Sequence, residues 1–225
     1  MRLFDLSPPI ETGMPVYPGD PHVSIDAVST VSTDGANVSS LRLGSHTGTH
    51  LDAPSHVVDG GRTVDQLHLE LLHGPAHILQ ADPQQRTMLN PLALQLADFE
   101  PLPAQLPYIV CIATGWDQHF HTLLREQHPY LSIELAQALW KRGARVLGID
   151  TLSPDPTAVQ PQTFPVHEFW LGQDGIIVEN LRGLMQLPVQ VNMSLLPLNI
   201  RGGDGSPVRA VAWDVLPDTP MRELK

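Results

Sequence analysis

A helix and a buried strand follow one another in the segment Ser132-Ile-Glu-Leu-Ala-Gln-Ala-Leu-Trp-Lys-Arg-Gly-Ala-Arg-Val-Leu-Gly-Ile-Asp150. The Ser132 side chain can cap the helix start, and Glu134 lies near the positive end of the helix dipole. Gly143 is a stop signal, so we expect a helix that spans residues 132–142 and a strand that follows it. Because the apolar run Tyr108–Ala113 precedes the helix, the middle of the chain predicts a strand-helix-strand unit.

Short apolar runs with β character flank this unit on both sides. At 225 residues and 42% hydrophobic content, the chain can bury one sizeable core. We therefore predict one α/β domain that spans residues 1–225. The flanking runs are Val23–Val28, Val38–Leu43, Pro75–Leu79, Gly175–Val178, Val189–Ile200 and Val208–Trp213.

Composition excludes several classes of protein. The formal net charge is −11, and phosphate backbones bind clusters of Lys and Arg, so we expect no nucleic-acid partner. The single cysteine, Cys111, lies in an apolar run and is expected to pack in the core. No stretch approaches the ~20 apolar residues of a membrane span, and the N-terminus lacks the pattern of a signal peptide. We therefore expect a cytoplasmic protein without a membrane partner.

Four potential metal ligands lie within the segment His46-Thr-Gly-Thr-His-Leu-Asp-Ala-Pro-Ser-His56. Gly48 and Pro54 oppose a helix here. In an extended chain His50 and Asp52 project to the same side, and a turn at Gly48 brings His46 beside them. Each histidine alone could lie on a solvated loop. Together with the carboxylate, however, they indicate a site for a borderline divalent cation such as zinc or manganese.

The segment resembles the signature His-x-Gly-Thr-His-x-Asp-x-Pro-x-His of the metal-dependent cyclases and amidohydrolases, the family that includes bacterial kynurenine formamidase. Further similar stretches span nearly the whole chain. They are Tyr17-Pro-Gly-Asp-Pro21, Gly148-Ile-Asp-Thr-Leu-Ser-Pro-Asp155, His167 with Glu179 twelve positions later, and Ser206-Pro-Val-Arg-Ala210.

The resemblance implies a swivelling β/β/α-type domain with a mixed, barrel-like central sheet, a homo-oligomer that is expected to be a dimer, and a site for two divalent cations, Zn²⁺ or Mn²⁺. It implies that His56 transfers protons and that Tyr17 contacts the substrate, where the family usually has tryptophan. Asp52 and Glu179 are the expected bridges, because a carboxylate has two oxygens. The implied metal ligands are His46, His50, Asp52, His167 and Glu179.

The implied activity is hydrolysis of an amide bond, with arylformamidase activity (N-formylkynurenine to kynurenine and formate, in tryptophan degradation) as the leading hypothesis. A bound cation would activate water and polarise a carbonyl, so no serine or cysteine nucleophile is required. Two alternatives remain: hydrolysis of a cyclic amide such as an isatin-like ring or of a lactone, and a non-catalytic, metal-containing protein that binds a small metabolite.

Other polar residues are weaker candidates. The Thr114-Gly-Trp-Asp117 segment follows an apolar strand and could form a pocket wall. Asp150 and Ser153 could orient a ligand or simply cap turns. Glu168 is adjacent to His167 but does not fit the family spacing. The remaining histidines lack a patterned carboxylate, and most are expected to be exposed: His68, His73, His77, His119 and His121.

Overall fold

The computed structural model of the chain describes residues 2–81, 93–157 and 163–214. Within these ranges the strands are β1 (Leu3–Asp5), β2 (Ser24–Ser29), β3 (Val38–Arg42), β4 (His50–Asp52), β5 (His73–Gln80), β6 (Ala93–Leu94), β7 (Ile109–Ala113), β8 (Tyr130–Leu131), β9 (Val146–Ile149), β10 (Ile176–Glu179), β11 (Gln190–Ser194), β12 (Gly205–Pro207) and β13 (Val211–Asp214). The helices are α1 (Val31–Asp34), α2 (Ile133–Lys141) and α3 (Pro165–Gly172).

One nine-stranded sheet organises the described residues, in the order β1-β13-β11-β5-β7-β9-β10-β4-β12. Its four central strands, β5, β7, β9 and β10, are parallel to one another, and the strands outside them pair antiparallel. The sheet curls strongly into a half-barrel. The fold is therefore the mixed α/β class with a barrel-like sheet that the sequence predicts, whereas the extent of the domain over residues 1–225 stays a prediction.

Strands β7, β9 and β10 are buried on both faces, which explains their nearly unbroken apolar sequence, whereas β5 is buried only over residues 76–79. In β7, Ile109 and Cys111 point into the core inside the curled sheet, while Val110 and Ile112 point to the opposite face. Helices α2 and α3 cover that opposite face, where Trp170 is completely buried. The prediction that Cys111 packs in the core is confirmed.

The predicted strand-helix-strand unit is confirmed as β7, α2 and β9. The Ser132 hydroxyl accepts a hydrogen bond of 3.2 Å from the Leu135 amide, as expected of a helix cap. Helix α3 was not predicted. Its start carries Pro165, a favourable first residue, but no capping side chain at Phe164.

Two expectations need correction. His77 is not exposed: it lies in β5 with 8% of its surface accessible, on the same face of the sheet as Leu79, which packs in the core under α2 and α3. The run Val189–Ile200 forms a strand only over Gln190–Ser194. Among the described residues, no helix is long and apolar enough to cross a membrane.

Candidate metal centre

Two antiparallel strands bring three potential ligands to one place. In the register of β4 and β10, His50 lies opposite Glu179, and Asp52 is two residues along the same face as His50. The Nε2 atom of His50 is 3.2 Å from Glu179 Oε2 and 3.4 Å from Asp52 Oδ1. We call His50, Asp52 and Glu179 the strand group.

The His167 side chain approaches the strand group from the first turn of α3. Its Nε2 atom lies 3.3 Å from Glu179 Oε1 and 3.7 Å from Asp52 Oδ2. The other ring nitrogen, Nδ1, donates a hydrogen bond of 2.7 Å to the fully buried Asp155, which also accepts the backbone N–H groups of Val166 and His167. Asp155 thus caps the helix and turns Nε2 of His167 toward the centre.

Three more polar side chains lie at the mouth of the site. His46 is held between two carboxylates, with Nδ1 2.7 Å from Asp52 Oδ1 and Nε2 2.9 Å from Asp204 Oδ2. His56 Nδ1 is 3.4 Å from the same oxygen of Asp204, and the two imidazole rings are 4.1 Å apart. We call His46, His56 and Asp204 the rim group.

The position of the His46 ring depends on a glycine. A Cβ atom at residue 205 would come within 2.7 Å of His46 Cε1 and within 2.9 Å of the Leu51 carbonyl oxygen. These separations are shorter than van der Waals contact, so any side chain at Gly205 would displace the ring. The glycine therefore allows β12 to pass directly behind His46.

Buried polar atoms without partners show where a cation fits. His50 Nε2, Asp52 Oδ2 and Glu179 Oε1 are buried and have no hydrogen-bond partner among the described residues. Leaving such atoms unpaired costs about 1–3 kcal/mol each. His50 Nδ1 donates to the Gly48 carbonyl oxygen at 2.9 Å, which leaves the lone pair on Nε2. A divalent cation would satisfy all three atoms.

Asp52 belongs to two possible ligand sets. Ligand atoms of His50, Asp52 and Glu179 lie within 4.8 Å of one another, and so do those of His46, Asp52 and His56. A carboxylate offers two oxygens, so Asp52 is suited to bridge two cations. The second set includes His56, to which the family resemblance assigns proton transfer instead of metal binding.

Charges inside the cluster hold protons on the imidazoles. Burial lowers the pKa of His50, but the adjacent carboxylates of Asp52 and Glu179 outweigh it and raise the pKa to about 10. Burial also opposes protonation of His167, yet Asp155, Asp52 and Glu179 raise its pKa well above the usual value. Metal binding at these nitrogens therefore requires the release of protons.

A cavity of about 460 Å³ opens onto both groups. This volume is within the range of small-molecule sites. Tyr17 and Asp20 form the ends of a β-turn in which the Asp20 amide donates to the Tyr17 carbonyl at 3.0 Å and Gly19 has φ of 99°. Apolar walls come from Val16, Leu152 and Phe164, so the cavity combines an apolar body with a polar base.

Residues after the central strands support the site from outside it. Asp150 accepts hydrogen bonds from the Thr114 amide and hydroxyl and from the Gly115 amide, and burial raises its pKa to about 6 against those bonds. Ser153 Oγ accepts the Asp155 amide at 3.1 Å. Thus Asp150 fixes the turn at Thr114 and Gly115. Ser153 caps the turn that carries Asp155, the residue that orients His167.

Asp155 and Asp204 are functional residues to which the sequence pattern assigned no role. Asp155 closes a stretch that resembles the family, and Asp204 lies two residues before another, so proximity to those stretches was the available signal. Glu168, which the spacing argument set aside, is exposed and accepts a hydrogen bond from the Phe164 amide.

Comparison with known proteins gives consistent matches. The family model described as "Putative cyclase" matches residues 4–156. The chain is 32% identical to the kynurenine formamidase of Geobacillus thermodenitrificans over 92% of this chain and 95% of the relative. It is 31% identical to the kynurenine formamidase of Bordetella avium over 93% of this chain and 97% of the relative.

Solved structures share the fold. An isatin hydrolase bound to the product analogue thioisatinate superposes with a TM-score of 0.82 at 21% identity, over 93% of this chain and 91% of that one. A potential metal-dependent hydrolase with cyclase activity gives a TM-score of 0.76 at 26% identity, over 96% and 99%. These matches and the motif at residues 46–56 agree, and the chain belongs to the cyclase family that includes the bacterial kynurenine formamidases.

Proposed function

We propose that this protein is a metal-dependent hydrolase of a non-peptide C–N bond, and that its substrate is an arylformamide such as N-formylkynurenine. One observation carries the proposal: three buried, unpartnered ligand atoms lie at the base of a cavity with apolar walls. The 32% identity to a kynurenine formamidase over nearly the whole chain supports this choice of substrate.

The proposed cofactor is a pair of divalent cations, Zn²⁺ or Mn²⁺, held by the residues that the family resemblance names. Imidazole nitrogen and carboxylate oxygen are the donors that these cations accept. When bound, they would supply an activated water and a Lewis acid for the carbonyl group. The proposed ligands are His46, His50, Asp52, His167 and Glu179.

His56 is the proposed proton-transfer residue. Its side chain is 32% exposed and lines the cavity, and its Nδ1 atom faces Asp204. Nε2 is then the nitrogen that can give a proton to the departing aryl amine. In this role Asp204 sets the orientation of the imidazole, and Tyr17 stacks on the aromatic ring of the substrate.

Hydrolysis of an isatin-like cyclic amide is a second candidate. The observation that favours it is the TM-score of 0.82 with an isatin hydrolase. Both reactions hydrolyse an amide whose nitrogen is bonded to an aromatic ring, so the same metal ligands and the same proton donor serve either one. A non-catalytic metabolite-binding protein is less well supported, because a structural metal site usually closes its shell with protein ligands, whereas this cluster opens onto a cavity.

The assay that tests the proposal is hydrolysis of N-formylkynurenine and of isatin by metal-stripped protein reloaded with Zn²⁺ or Mn²⁺. We expect turnover that depends on the metal and is lost in His50→Ala and His56→Ala. His121→Ala is the matched control, because that histidine is exposed and outside the cavity. Reloaded protein that turns over neither substrate would contradict the hydrolase proposal, and turnover of isatin alone would move the assignment to cyclic amides.

The proposed assembly is a cytoplasmic homodimer. The hairpin of β2 and β3 projects as a separate two-stranded sheet, with Val28, Val38 and Leu41 more than half exposed. Val28 and Val38 are neighbours, because Val38 pairs with Ser29, and adjacent exposed apolar residues are typical of an interface. Light scattering after size exclusion tests this: we expect a dimer, and Val38→Ser should weaken it.

A further inference from the structure

The Asp20 carboxylate faces the cavity without a partner. It lies at the end of the Tyr17–Asp20 turn and is half-buried. Within the described part of the chain, its oxygens have no hydrogen-bond donor and no ion pair. The charged groups that face it are the imidazoles of His46, His50 and His56 and the carboxylate of Glu179.

The solvent around this carboxylate is already restricted. Burial raises the pKa of Asp20, which means that water only partly stabilises its charge. A partly desolvated carboxylate gains most from a positive group that supplies both charge and N–H donors. The described residues that line the cavity include no lysine and no arginine, and the three imidazoles that face Asp20 lower its pKa by their charge but make no hydrogen bond to it.

The absence of a basic residue from the described lining bears on the substrate as well. A substrate carboxylate at this side of the cavity would meet Asp20 with no arginine or lysine in the lining to offset the repulsion. An ammonium group there would meet a counter-charge. The imidazoles and carboxylates at the base are the proposed metal ligands, so they are not available to bind a substrate side chain.

We propose that Asp20 is a specificity-determining residue that accepts hydrogen bonds from an ammonium group on the substrate side chain and disfavours a carboxylate at the same place. The inference rests on the proposed function, since it refines the arylformamide to one whose ring carries a side chain with an ammonium group. Asp20 does not take part in breaking the C–N bond. It selects which substrates occupy the cavity.

The main rival is that Asp20 acts through the metals. A carboxylate near a pair of cations could stabilise them electrostatically, and its loss would then lower metal content and slow every substrate equally. Charge recognition at the substrate instead changes the ratio between substrates and leaves metal content at the wild-type level. The two roles therefore differ in what they predict for Asp20→Asn.

The test uses metal-loaded protein and three formanilides with the same ortho acyl chain, which ends in an ammonium, a methyl or a carboxylate group. The three deformylated anilines are measured in parallel by calorimetry, because their binding needs no turnover. In the wild type we expect kcat/KM and affinity to fall in the order ammonium, methyl, carboxylate. In Asp20→Asn, the preference for ammonium over methyl should fall about tenfold, mainly through KM.

Asp59→Asn is the matched control: it removes the same charge from an exposed residue outside the cavity lining and should leave the preference intact. Asp20→Glu should restore part of the preference for ammonium. Equal loss for all three chains, or loss of bound metal in Asp20→Asn, would overturn the inference. If no formanilide is hydrolysed but the anilines still show the order that depends on Asp20, the arylformamidase proposal fails and the role of Asp20 stands.

Discussion

The strand group and the rim group differ in how firmly the fold holds them. His50, Asp52 and Glu179 come from the paired strands β4 and β10, and their side chains are 3%, 1% and 7% exposed. His46, His56 and Asp204 lie outside the strands of the sheet, and their side chains are 13%, 32% and 46% exposed. Strand register positions the buried ligands, whereas hydrogen bonds between side chains position the rim.

This difference suggests that the strand group binds the cation and that the rim group contacts solvent and substrate. Unpaired buried atoms in the strand group make cation binding favourable, because the cation replaces lost hydration. The rim group pairs internally through Asp204 and remains open to solvent and substrate. Changes in the strand group should therefore affect metal retention most, and changes at the rim should be milder.

The largest effect is expected from Asp52→Asn, because Asp52 is shared by both possible ligand sets. The amide keeps the shape but loses the charge and one acceptor oxygen. We expect loss of bound metal and a drop of about 10³-fold or more in kcat/KM, since a bound metal lowers the activation free energy of hydrolysis by several kcal/mol. Metal analysis and kinetics on the purified variant measure both. Retention of wild-type metal content in this variant would contradict the proposed bridging role of Asp52.

Metal removal comes next in size. A cation that binds only the folded state at ~100 times its Kd stabilises it by about 2.7 kcal/mol, or roughly 5–10 °C in Tm for a chain of this length. Thermal unfolding with and without chelator measures the difference. An unchanged Tm on reloading would argue against a cation at the strand group.

The stabilisation by metal should also grow with pH. Against the effect of burial, the carboxylates of Asp52 and Glu179 raise the folded-state pKa of His50 to about 10 from its ordinary value of 6.5. The proton on His50 therefore stabilises the metal-free fold fully below about pH 6.5, and this contribution disappears as the pH rises toward about 10. Cations compete with that proton, so the shift in Tm should be larger at about pH 8 than at about pH 6.

Asp155→Asn should have an intermediate effect. The carboxylate orients His167 and caps α3, and its replacement would place an amide N–H₂ against backbone or imidazole donors. Loss of a group behind a ligand typically costs 10–100-fold in metal affinity. Competition with a chelator measures this affinity. Ser153→Ala is the comparison variant, because it removes only the hydrogen bond to the Asp155 amide and should cost about 1 kcal/mol of stability.

The smallest effect is expected from Asp204→Asn at the rim. The pKa of this carboxyl is lowered to about 2: burial opposes the shift, but the hydrogen bond and charge of His46 outweigh it. Its side chain is 46% exposed, so the pair should contribute less than about 1 kcal/mol to stability. We expect at most about a tenfold loss of activity from poorer orientation of His46 and His56. A loss as large as that of Asp52→Asn would refute the distinction between the two groups.

The sequence predicted the elements that depend on neighbouring residues, such as apolar strands and a capped helix. Strands β7 and β9 lie within the apolar runs that predicted them, and Ser132 caps α2 as its position in the sequence indicated. Helix α3 was missed because its amides are capped by Asp155, which lies 11 residues before Val166. Hydrogen bonding at such a separation leaves no pattern in a short window of sequence.

The candidate site shows the same limit. The spacing of His50 and Asp52 predicted a shared face, and their strand has that geometry. His167 and Glu179 were named only through the family resemblance, and their ligand roles stay a prediction. Asp204 contacts His46 across 158 positions, a contact that only the folded sheet creates.

Because Asp155 binds both the His167 ring and two backbone amides, those amides can report on the state of the metal centre. The carboxylate that fixes the His167 ring also accepts the amide protons of Val166 and His167. Motion of the imidazole therefore cannot occur without disturbing those two amides. Their hydrogen-exchange rates would follow occupancy of the centre from the backbone, without any probe attached to the site itself.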